Sequence, residues 1–514
     1  MNHLSRPERS ILHGEWPFAP TETATRKCTV VTTLTSKPRV HGYDLPMVGD
    51  IEVRADLLDD IDPALLRARS TGKLTFSLRS VSNGGAFGGD ARERARRLVA
   101  ALEHYDVVDL EADRDLLPKL LLRIPPHRRR ISWHGSVRDI QELAQQFERM
   151  AGTPALLYLL APDLRSAEQA LIPLRLLKQL RRSDVTAFGT APAGIWSRLL
   201  APRLGAPIAY GRLRTNEDSV PTVEQLTSDY RLPTLPPLKR LFAIVGKSPG
   251  ASMSPRLHNA GYRAAGLPAL YVPMAVDDFS LFWPKIADGL RELGFSLDGI
   301  TVVSPHKEAA LAAADRASGM AARAGAANIL VRTNEGWIAD TTNPSGLIGA
   351  LRRAGVRIGG RRAAVIGCGG AGRAAAAALM RARLRPDMVN RGADRGHYAA
   401  RLLGLSYVPL KEFAPEGYSL IVHATPLREE TPFGIERLAR GAIFVDMGYG
   451  LEETASVAAA RADAHEKGLV VIDGWTVLSA DAAQQFHRMT GQRMPIRDAR
   501  VVLNRERKEP WKPV

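Results

Sequence analysis

Short hydrophobic runs rich in β-branched residues recur at intervals of about 20–30 residues over the first half of the chain, the spacing of strands joined by helices. Amphipathic stretches such as ARERARRLVAALEHY and VRDIQELAQQFERM lie between them. This alternation predicts a parallel (β/α)8 barrel over residues 26–231, with its functional groups at the carboxyl ends of the strands. The eight runs are CTVVTTLT, IEVRADLL, KLTFSLRS, VVDLEAD, RRISWHG, ALLYLLAP, VTAFGTA and PIAYGRL.

A second α/β region follows the segment LPTLPPLKR at residues 232–240, whose prolines predict a linker. The strand LFAIVG opens this region, and a last helix from about Ser479 to Met489 is predicted to pack back onto it. The strand RRAAVIG runs into a glycine-rich turn and the helix AGRAAAAALMRARL, which predicts a Rossmann unit. The predicted boundaries are a polar tail at 1–25, an α/β lobe at 241–360 plus 474–495, the Rossmann unit at 361–473 and a polar tail at 496–514.

The composition is that of a soluble globular protein, with 45% hydrophobic, 24% charged and 6% aromatic residues among 514. No stretch approaches the roughly 20 apolar residues that span a bilayer, and the charged N-terminus does not fit a signal peptide. We therefore predict a cytoplasmic protein without a membrane contact. Cys28 and Cys368 are too few for a cysteine-rich metal site, so no metal is predicted.

The net charge of +16 would suit a nucleic-acid-binding protein, but the arginines are scattered along the chain. The densest run, Arg128 to Arg130, stands before a strand-like segment, and we interpret the excess charge as solvated surface. The chain is therefore predicted not to bind nucleic acid. Its positive field favours small anions such as carboxylates and nucleotide phosphates.

The glycine-rich turn matches GxGxxG between a strand and a helix, the arrangement that lets a dinucleotide pyrophosphate approach a helix N-terminus. About 20 residues further on, where an NAD site has a carboxylate, the chain has Asn390 and Arg391. An arginine there can pair with a 2′-phosphate, which predicts NADP, although Arg391 or Arg395 could equally be a surface cation. The residues predicted to hold the cofactor are Gly367, Gly369, Gly370, Ala371, Gly372, Asn390 and Arg391.

Several ordered motifs follow the linker, namely SMSP, HN, SPHK and AGAAN. With the glycine turn, they resemble shikimate dehydrogenase over about residues 240–495. The resemblance implies an NADP-dependent oxidoreductase with a shikimate dehydrogenase-like α/β substrate domain and a Rossmann NADP-binding domain. It implies that Ser252 and Ser254 hold a substrate carboxylate, that Lys307 is the catalytic lysine and that Asn328 binds substrate. A lysine beside a carbonyl can deliver the proton that accompanies hydride transfer.

Three positions expected to face the substrate ring depart from that family's pattern. Asn343 stands where the family has the aspartate that pairs with the lysine, and an amide cannot hold a proton. Val303 replaces a threonine, and Asp481 replaces a glutamine on the last helix. Asp340 aligns with a position that is not catalytic. These changes predict a reduced rate or an altered substrate, either 3-dehydroshikimate/shikimate or a related anionic cyclic hydroxy acid.

The barrel segment EVRADLL resembles a strand of type I 3-dehydroquinate dehydratase, and further matches cover about residues 26–230. The resemblance implies a TIM barrel whose pocket holds Glu52, Arg54, Arg79, His134, Arg198 and Ser219. That family forms a Schiff base on a lysine, a position we align with Tyr158, whose phenol cannot form an imine. The barrel lysines are Lys27, Lys37, Lys73, Lys119 and Lys178, and none falls at the end of this strand.

Fusion of these two domains implies consecutive enzymes of aromatic biosynthesis. We expect an NADP-dependent oxidoreductase whose barrel is a scaffold or a ligand-binding module without Schiff-base chemistry. A fully bifunctional enzyme would need another amine in the barrel or a different elimination by His134. A non-catalytic protein that senses NADP or a metabolite is the third possibility, and the oligomeric state stays open.

Overall fold

The structure is a computed structural model that describes residues 28–36, 49–58, 61–68, 70–213, 220–450, 452–495 and 502. Three sheets organise these residues, one of eight strands and two of six. Within the part of the chain so described, no helix is both long and apolar enough to cross a membrane.

The first sheet is a nearly closed barrel in which all paired strands are parallel, as the sequence predicts. Its order is β7-β6-β5-β4-β3-β2-β1-β8, and each of the eight predicted runs contributes one strand. The strands are β1 Thr29–Leu34, β2 Asp50–Arg54, β3 Leu74–Ser77, β4 Val107–Glu111, β5 Arg129–Trp133, β6 Leu157–Leu160, β7 Val185–Ala187 and β8 Ile208–Arg212. The helices are α1 Pro63–Arg67, α2 Ala91–Ala100, α3 Pro118–Leu121, α4 Ile140–Ala151, α5 Leu171–Leu180, α6 Ala191–Leu200 and α7 Val223–Ser228.

Two of the three arginines at the start of β5 are buried and the third is half-buried, which corrects the interpretation of this run as solvated surface. Arg130 is 2% exposed, and its Nε donates to Asp109 at 2.8 Å while its Nη2 pairs with Glu52. Arg129 is buried too and donates to carbonyls at the bottom of the barrel. Strand side chains alternate between the two faces, so a charge can enter the core where carboxylates on neighbouring strands neutralise it.

The second sheet mixes parallel and antiparallel strands in the order β10-β9-β11-β13-β14-β12. Its strands are β9 Arg240–Gly246, β10 Ala269–Ala275, β11 Leu297–Val302, β12 Arg316–Ala317, β13 Ile329–Thr333 and β14 Gly336–Asp340. Its helices are α8 Ser254–Ala264, α9 Phe279–Leu293, α10 Lys307–Ala312, α11 Gly319–Ala324 and α12 Asn343–Arg353, with α17 Gly474–Thr490 returning from the C-terminal end. The last helix therefore begins five residues before the predicted Ser479, because the Asp473 side chain caps its N-terminus.

The third sheet has the order β17-β16-β15-β18-β19-β20 and is parallel throughout. This is the 3-2-1-4-5-6 order of a Rossmann fold, which confirms the predicted fold class. The strands are β15 Ala363–Ile366, β16 Asp387–Asn390, β17 Tyr407–Pro409, β18 Leu420–His423, β19 Ile443–Asp446 and β20 Val470–Ile472. The helices are α13 Gly370–Arg381, α14 Ala393–Leu403, α15 Ala455–Ala462 and α16 Ala464–Lys467.

The barrel and the second sheet share one hydrophobic core. Trp196 and Leu200 on α6 belong to the same buried cluster as Val272 on β10 and Ile286 on α9. The predicted linker has no regular structure up to β9, but it is not a free tether, because its residues Leu232 and Leu235 are buried in this cluster. The two halves of the chain therefore pack as one body.

Candidate active site

Lys307 begins α10 and lies half-buried between the second and third sheets. Its Nζ donates to Oδ1 of Asn343, the first residue of α12, at 3.2 Å. Burial lowers the pKa of Lys307, and the charge of Asp481 partly opposes this shift. A lysine with a lowered pKa and a neutral hydrogen-bond partner is suited to exchanging a proton with a ligand.

The glycine turn of the third sheet lies directly against this lysine. A Cβ at Gly370 would stand 3.2 Å from both Cβ and Cδ of Lys307 and 2.9 Å from Cβ of Ala326. The buried side chain of Arg373, on the same helix as Gly370, donates to the carbonyl of Ala324 at 2.7 Å and to Glu308 at 2.6 Å. These contacts hold the glycine turn next to Lys307.

The turn itself has the shape that a pyrophosphate needs. Gly367 has φ +103°, and a Cβ at Gly372 would stand 1.7 Å from the Gly367 carbonyl oxygen, so this strand and helix can approach only without side chains there. No protein atom lies within 4 Å of a Cβ built at Gly369, which leaves space above the helix N-terminus. Ala371 is half-buried on the first turn of α13.

The end of β16 carries the two residues predicted to contact the adenosine side of a cofactor. Asn390 accepts a hydrogen bond from the Cys368 amide at 3.2 Å, so it is tied to the glycine turn. Arg391 is the first residue after the strand and is exposed, as is Arg395. Both side chains are therefore accessible to solvent at the end of β16, where a 2′-phosphate would lie in a Rossmann fold.

Asn328 is buried and holds the start of α12 in place. Its Nδ2 donates to Thr342 Oγ1 at 3.0 Å, and its Oδ1 accepts from the Thr342 amide at 2.8 Å. Asn343 follows Thr342 directly in the chain, so these bonds also set the position of the Lys307 partner.

The two serines of SMSP lie at the start of α8. Ser252 Oγ is 3.3 Å from Tyr449 OH and accepts from the Ser254 amide at 3.2 Å. Tyr449 follows β19 of the third sheet, and its ring packs on Trp475 at 5.7 Å between centroids. The serine turn is therefore in contact with the dinucleotide-binding half as well as with its own lobe.

Asp481 lies on α17 with 7% of its surface exposed. Its Oδ2 accepts from Gln485 Nε2 at 2.8 Å, whereas its Oδ1 is buried without a hydrogen-bond partner. A Cβ at Gly346, three residues after Asn343, would stand 2.9 Å from Cβ of Asp481. Burial raises the pKa of this carboxyl, and the Thr342 hydroxyl, the charge of Lys307 and the Gln485 amide oppose the rise. Val303 packs against Gly246 at the edge of the same site.

A second pocket opens inside the barrel and encloses about 90 Å³. Five predicted residues line it, namely Glu52, Arg54, Arg79, His134 and Arg198, whereas Ser219 lies outside the described residues. Glu52 is already paired with Arg130 and accepts from Thr33 at 2.9 Å. Arg54 is paired with Asp56 through two hydrogen bonds of 2.8 and 2.7 Å.

The other three groups of this pocket have buried nitrogen atoms without partners: Nε of Arg79, Nε of Arg198 and Nδ1 of His134. Burial and the positive charge of Arg54 lower the pKa of Arg79 to about 10. Burial and the charge of Arg79 lower the pKa of Arg198 to about 9. Positively charged arginines therefore lie close together in this buried pocket, and a bound anion would neutralise their charge.

Two family models match the chain. The model for type I 3-dehydroquinase matches residues 46–235, and the model for the shikimate dehydrogenase substrate binding domain matches residues 244–330. The NADP⁺ shikimate dehydrogenase of Acidiphilium cryptum is 35% identical over 268 residues, which are 51% of this chain and 94% of that protein. The chain belongs to the shikimate dehydrogenase family.

The dehydrogenase is fused to a type I 3-dehydroquinase barrel in a single chain. The chloroplastic bifunctional 3-dehydroquinate dehydratase/shikimate dehydrogenase of Arabidopsis thaliana is 26% identical over 90% of this chain and 80% of its own. The crystal structure of shikimate 5-dehydrogenase from Thermus thermophilus with shikimate is 29% identical, covers 52% of this chain and 98% of its own, and has a TM-score of 0.47.

Tyr158 does not lie in the pocket of the fused barrel, which corrects the alignment with the Schiff-base lysine. Its ring packs on Phe147 outside the barrel, and its hydroxyl donates to the Thr153 carbonyl at 2.9 Å. Because successive side chains alternate along a strand, the pocket is lined instead by Leu159 and Ala161, neither of which has an amine. Lys73, Lys119 and Lys178 do not line it, and Lys27 and Lys37 lie outside the described residues.

Several residues of the dehydrogenase site gave no clear signal in the sequence. Tyr449 and Gln485 reach the site from the C-terminal part of the chain and belong to no motif considered above. Thr342 directly precedes Asn343, but its bonds to Asn328 gave no signal in the sequence. Arg373 lies in the helix that follows the glycine turn, and nothing in the sequence indicates that it links this helix to the Ala324 carbonyl of the other lobe. In the barrel, Arg130 and Asp109 stood in runs that resemble ordinary strand ends.

Proposed function

We propose that this member of the shikimate dehydrogenase family is an NADP-dependent oxidoreductase that interconverts 3-dehydroshikimate and shikimate or a related anionic cyclic hydroxy acid. The observation that carries the proposal is the contact between Gly370 and Lys307. At this contact, the glycine turn that we propose for the dinucleotide packs against the lysine that we propose for proton exchange. The relative from Acidiphilium cryptum is an NADP⁺ shikimate dehydrogenase, which supports the same conclusion.

Different residues of the lobe at 241–360 bind different groups of the substrate. Ser252 and Ser254 donate to the substrate carboxylate, because their hydroxyls lie beside the N-terminus of α8, which favours an anion. Asn328 and Asn343 hydrogen-bond ring hydroxyls, and Lys307 gives a proton to the carbonyl oxygen during reduction or takes it from the hydroxyl during oxidation.

The turn at Gly367–Gly372 holds the pyrophosphate of NADP, and Arg391 pairs with its 2′-phosphate. The open space at Gly369 and the exposure of Arg391 fit that group. When bound, NADP supplies the hydride chemistry. The chain supplies the orientation, since Arg373 ties the helix after the turn to the substrate lobe and Asn390 ties the turn to the end of β16.

The experiment that tests this function incubates the purified chain with NADP⁺ and shikimate, quinate or their amino analogues, and follows the absorbance of the reduced nicotinamide. We expect turnover with at least one of these ring acids. If NADP binds but no ring acid is oxidised, the non-catalytic sensor is the better description. Turnover with NAD⁺ that equals turnover with NADP⁺ would contradict the cofactor assignment.

For the barrel we propose an anion-binding pocket without Schiff-base catalysis. The unpartnered nitrogen atoms of Arg79, Arg198 and His134 support the first part, since buried donors without acceptors are costly until a ligand satisfies them. The apolar residues Leu159 and Ala161 on the pocket face of β6 support the second, because imine formation needs an amine at the ketone carbon.

Borohydride treatment in the presence of dehydroquinate tests the missing Schiff base. We expect the mass of the protein to stay unchanged, and a stable adduct on a barrel lysine would restore the fully bifunctional enzyme. Binding of dehydroquinate, followed by calorimetry, tests the anion pocket separately. Arg198→Ala should weaken it at least tenfold, whereas Arg96→Ala, an exposed arginine on α2, should leave it unchanged.

A further inference from the structure

Lys307 needs a negative charge nearby if it is to hold a proton in a buried site, and Asn343 cannot supply one. The Asn343 amide oxygen accepts the hydrogen bond from Lys307 at 3.2 Å but carries no charge. We propose, on the basis of the oxidoreductase function above, that Asp481 on the last helix is the positioning carboxylate that sets the proton affinity of Lys307.

The packing of α17 on α12 places this carboxylate beside the lysine partner. Gly346 is one helical turn after Asn343, and only its missing side chain lets Cβ of Asp481 approach this turn. The next turn of α17 is anchored from the other side, because Gln485 Oε1 accepts from Thr301 Oγ1 at 3.1 Å. Asp481 is therefore held between the second sheet and the start of α12.

The two oxygen atoms of Asp481 have different surroundings. Oδ2 is fixed by Gln485, whereas Oδ1 is buried without any partner. A carboxylate oxygen left unpaired in a buried site is costly unless a cation or a ligand hydroxyl faces it. The Thr342 hydroxyl and the ammonium group of Lys307 both favour the charged form of this carboxylate, and Lys307 is the cation of the pair.

Asp340 is the other carboxylate at this end of the lobe, and its contacts direct it away from the lysine. It accepts from Ser318 Oγ at 2.5 Å and from the Thr341 amide at 2.8 Å, and it pairs with Arg488 at 3.2 Å. Its charge is therefore satisfied by structural partners.

The charge matters for catalysis because the reaction exchanges one proton. Oxidation of the alcohol by NADP⁺ gives the ketone, NADPH and one proton, which Lys307 takes from the hydroxyl oxygen. Burial lowers the pKa of Lys307, and Asp481 opposes that shift. Without the carboxylate, the pKa of the lysine would fall further, so a smaller fraction of the protein near neutral pH would hold the proton that reduction of the ketone requires.

Competitive labelling of Lys307 by acetic anhydride across a pH series, read by peptide mass spectrometry, reports its pKa without requiring turnover. We expect Asp481→Asn to lower this pKa by about one unit or more, the scale of an adjacent opposite charge. Adding Asn343→Asp to the Asp481→Asn variant should restore the pKa of Lys307 to that of the parent. The new carboxylate oxygen then stands where the Asn343 amide oxygen already contacts Nζ. Asp288→Asn, which removes an exposed carboxylate of the same lobe, should leave it unchanged.

The pH dependence of alcohol oxidation gives the second measurement. The acidic limb of kcat should shift to lower pH in Asp481→Asn and return in the double variant. The other titratable groups around the site are Asp340, His258, Tyr271, Tyr449 and Glu308, and none of these substitutions alters them.

An unchanged labelling pKa in Asp481→Asn would overturn the proposal, as would a failure of Asn343→Asp to restore it. If Asp481→Asn does not fold, Asp481→Ser removes the same charge with a smaller side chain and is read in the same way. A chain that shows the labelling shift but oxidises no ring acid would refute the proposed function while leaving the Lys307–Asp481 pair intact.

Discussion

The close contact between Gly372 and Gly367 makes Gly372→Ala the substitution whose effect can be worked out most directly. The added Cβ would stand 1.7 Å from the Gly367 carbonyl oxygen, whereas non-bonded carbon and oxygen need about 3.2 Å or more. Backbone, not a flexible side chain, is on the other side, so α13 must move away from β15 by roughly 1.5 Å. Such overpacking costs about 1–3 kcal/mol or more, against a gain of about 1 kcal/mol from replacing glycine by alanine in a helix.

Because rigid backbone must move, we take the upper end of this cost and expect Gly372→Ala, after the helical gain, to lower the free energy of unfolding by about 2 kcal/mol and to weaken NADP binding. Chemical denaturation and cofactor titration measure the two effects. Gly369→Ala is the matched control, because its Cβ meets no protein atom within 4 Å. It should keep the stability of the parent and lose only cofactor affinity. The reasoning is refuted if Gly372→Ala is as stable as the parent, or if both variants lose stability equally.

Three further substitutions test other parts of the molecule. Arg391→Ala should weaken NADP by about 1–3 kcal/mol and leave NAD nearly unaffected in parallel titrations, since a charge-assisted hydrogen bond to the 2′-phosphate is lost; equal losses would contradict its role. Lys307→Ala should reduce turnover at least about 10²-fold with NADP affinity retained, and turnover within tenfold would exclude acid-base catalysis. Burial would raise the pKa of Asp109, but the charge and hydrogen bond of Arg130 lower this pKa to about 2. The ionised carboxylate therefore stabilises the barrel above about pH 4, and this stabilisation is lost as the pH falls towards 2. Asp109→Asn should flatten acid unfolding in that range, whereas Asp113→Asn should not.

The fold follows from the sequence to the extent that local patterns determine it. Eight hydrophobic runs at regular spacing became eight barrel strands, and one glycine turn between a strand and a helix located the Rossmann unit. The start of α17 was placed too late, because the cap at Asp473 precedes the amphipathic pattern. The shared core could not be predicted, since Leu232 and Leu235 in a proline-rich segment give no sign of what covers them.

The site residues divide in the same way. Lys307, Asn328 and Asn343 belong to short motifs at the ends of β strands, and the structure brings all three together. Tyr158 was misplaced because an alignment shifted by one residue turns a strand side chain to the opposite face. Arg130 was misread as surface because charge pairing between strands is invisible in a single sequence.

The shared core gives the barrel a structural role that does not depend on chemistry in its pocket. Leu171 on α5 packs directly on Gly289 of α9, since a Cβ built at Gly289 would stand only 2.3 Å from Cδ1 of Leu171. Beside this contact, Arg175 pairs with Glu292 at 2.6 Å. Removal of the barrel would expose the apolar face of α9 and the edge strand β10, which includes the buried Val272. An uncovered edge strand and a contiguous apolar face both favour aggregation. The barrel therefore covers apolar surface of the dehydrogenase half, a packing role that does not require any chemistry in its pocket.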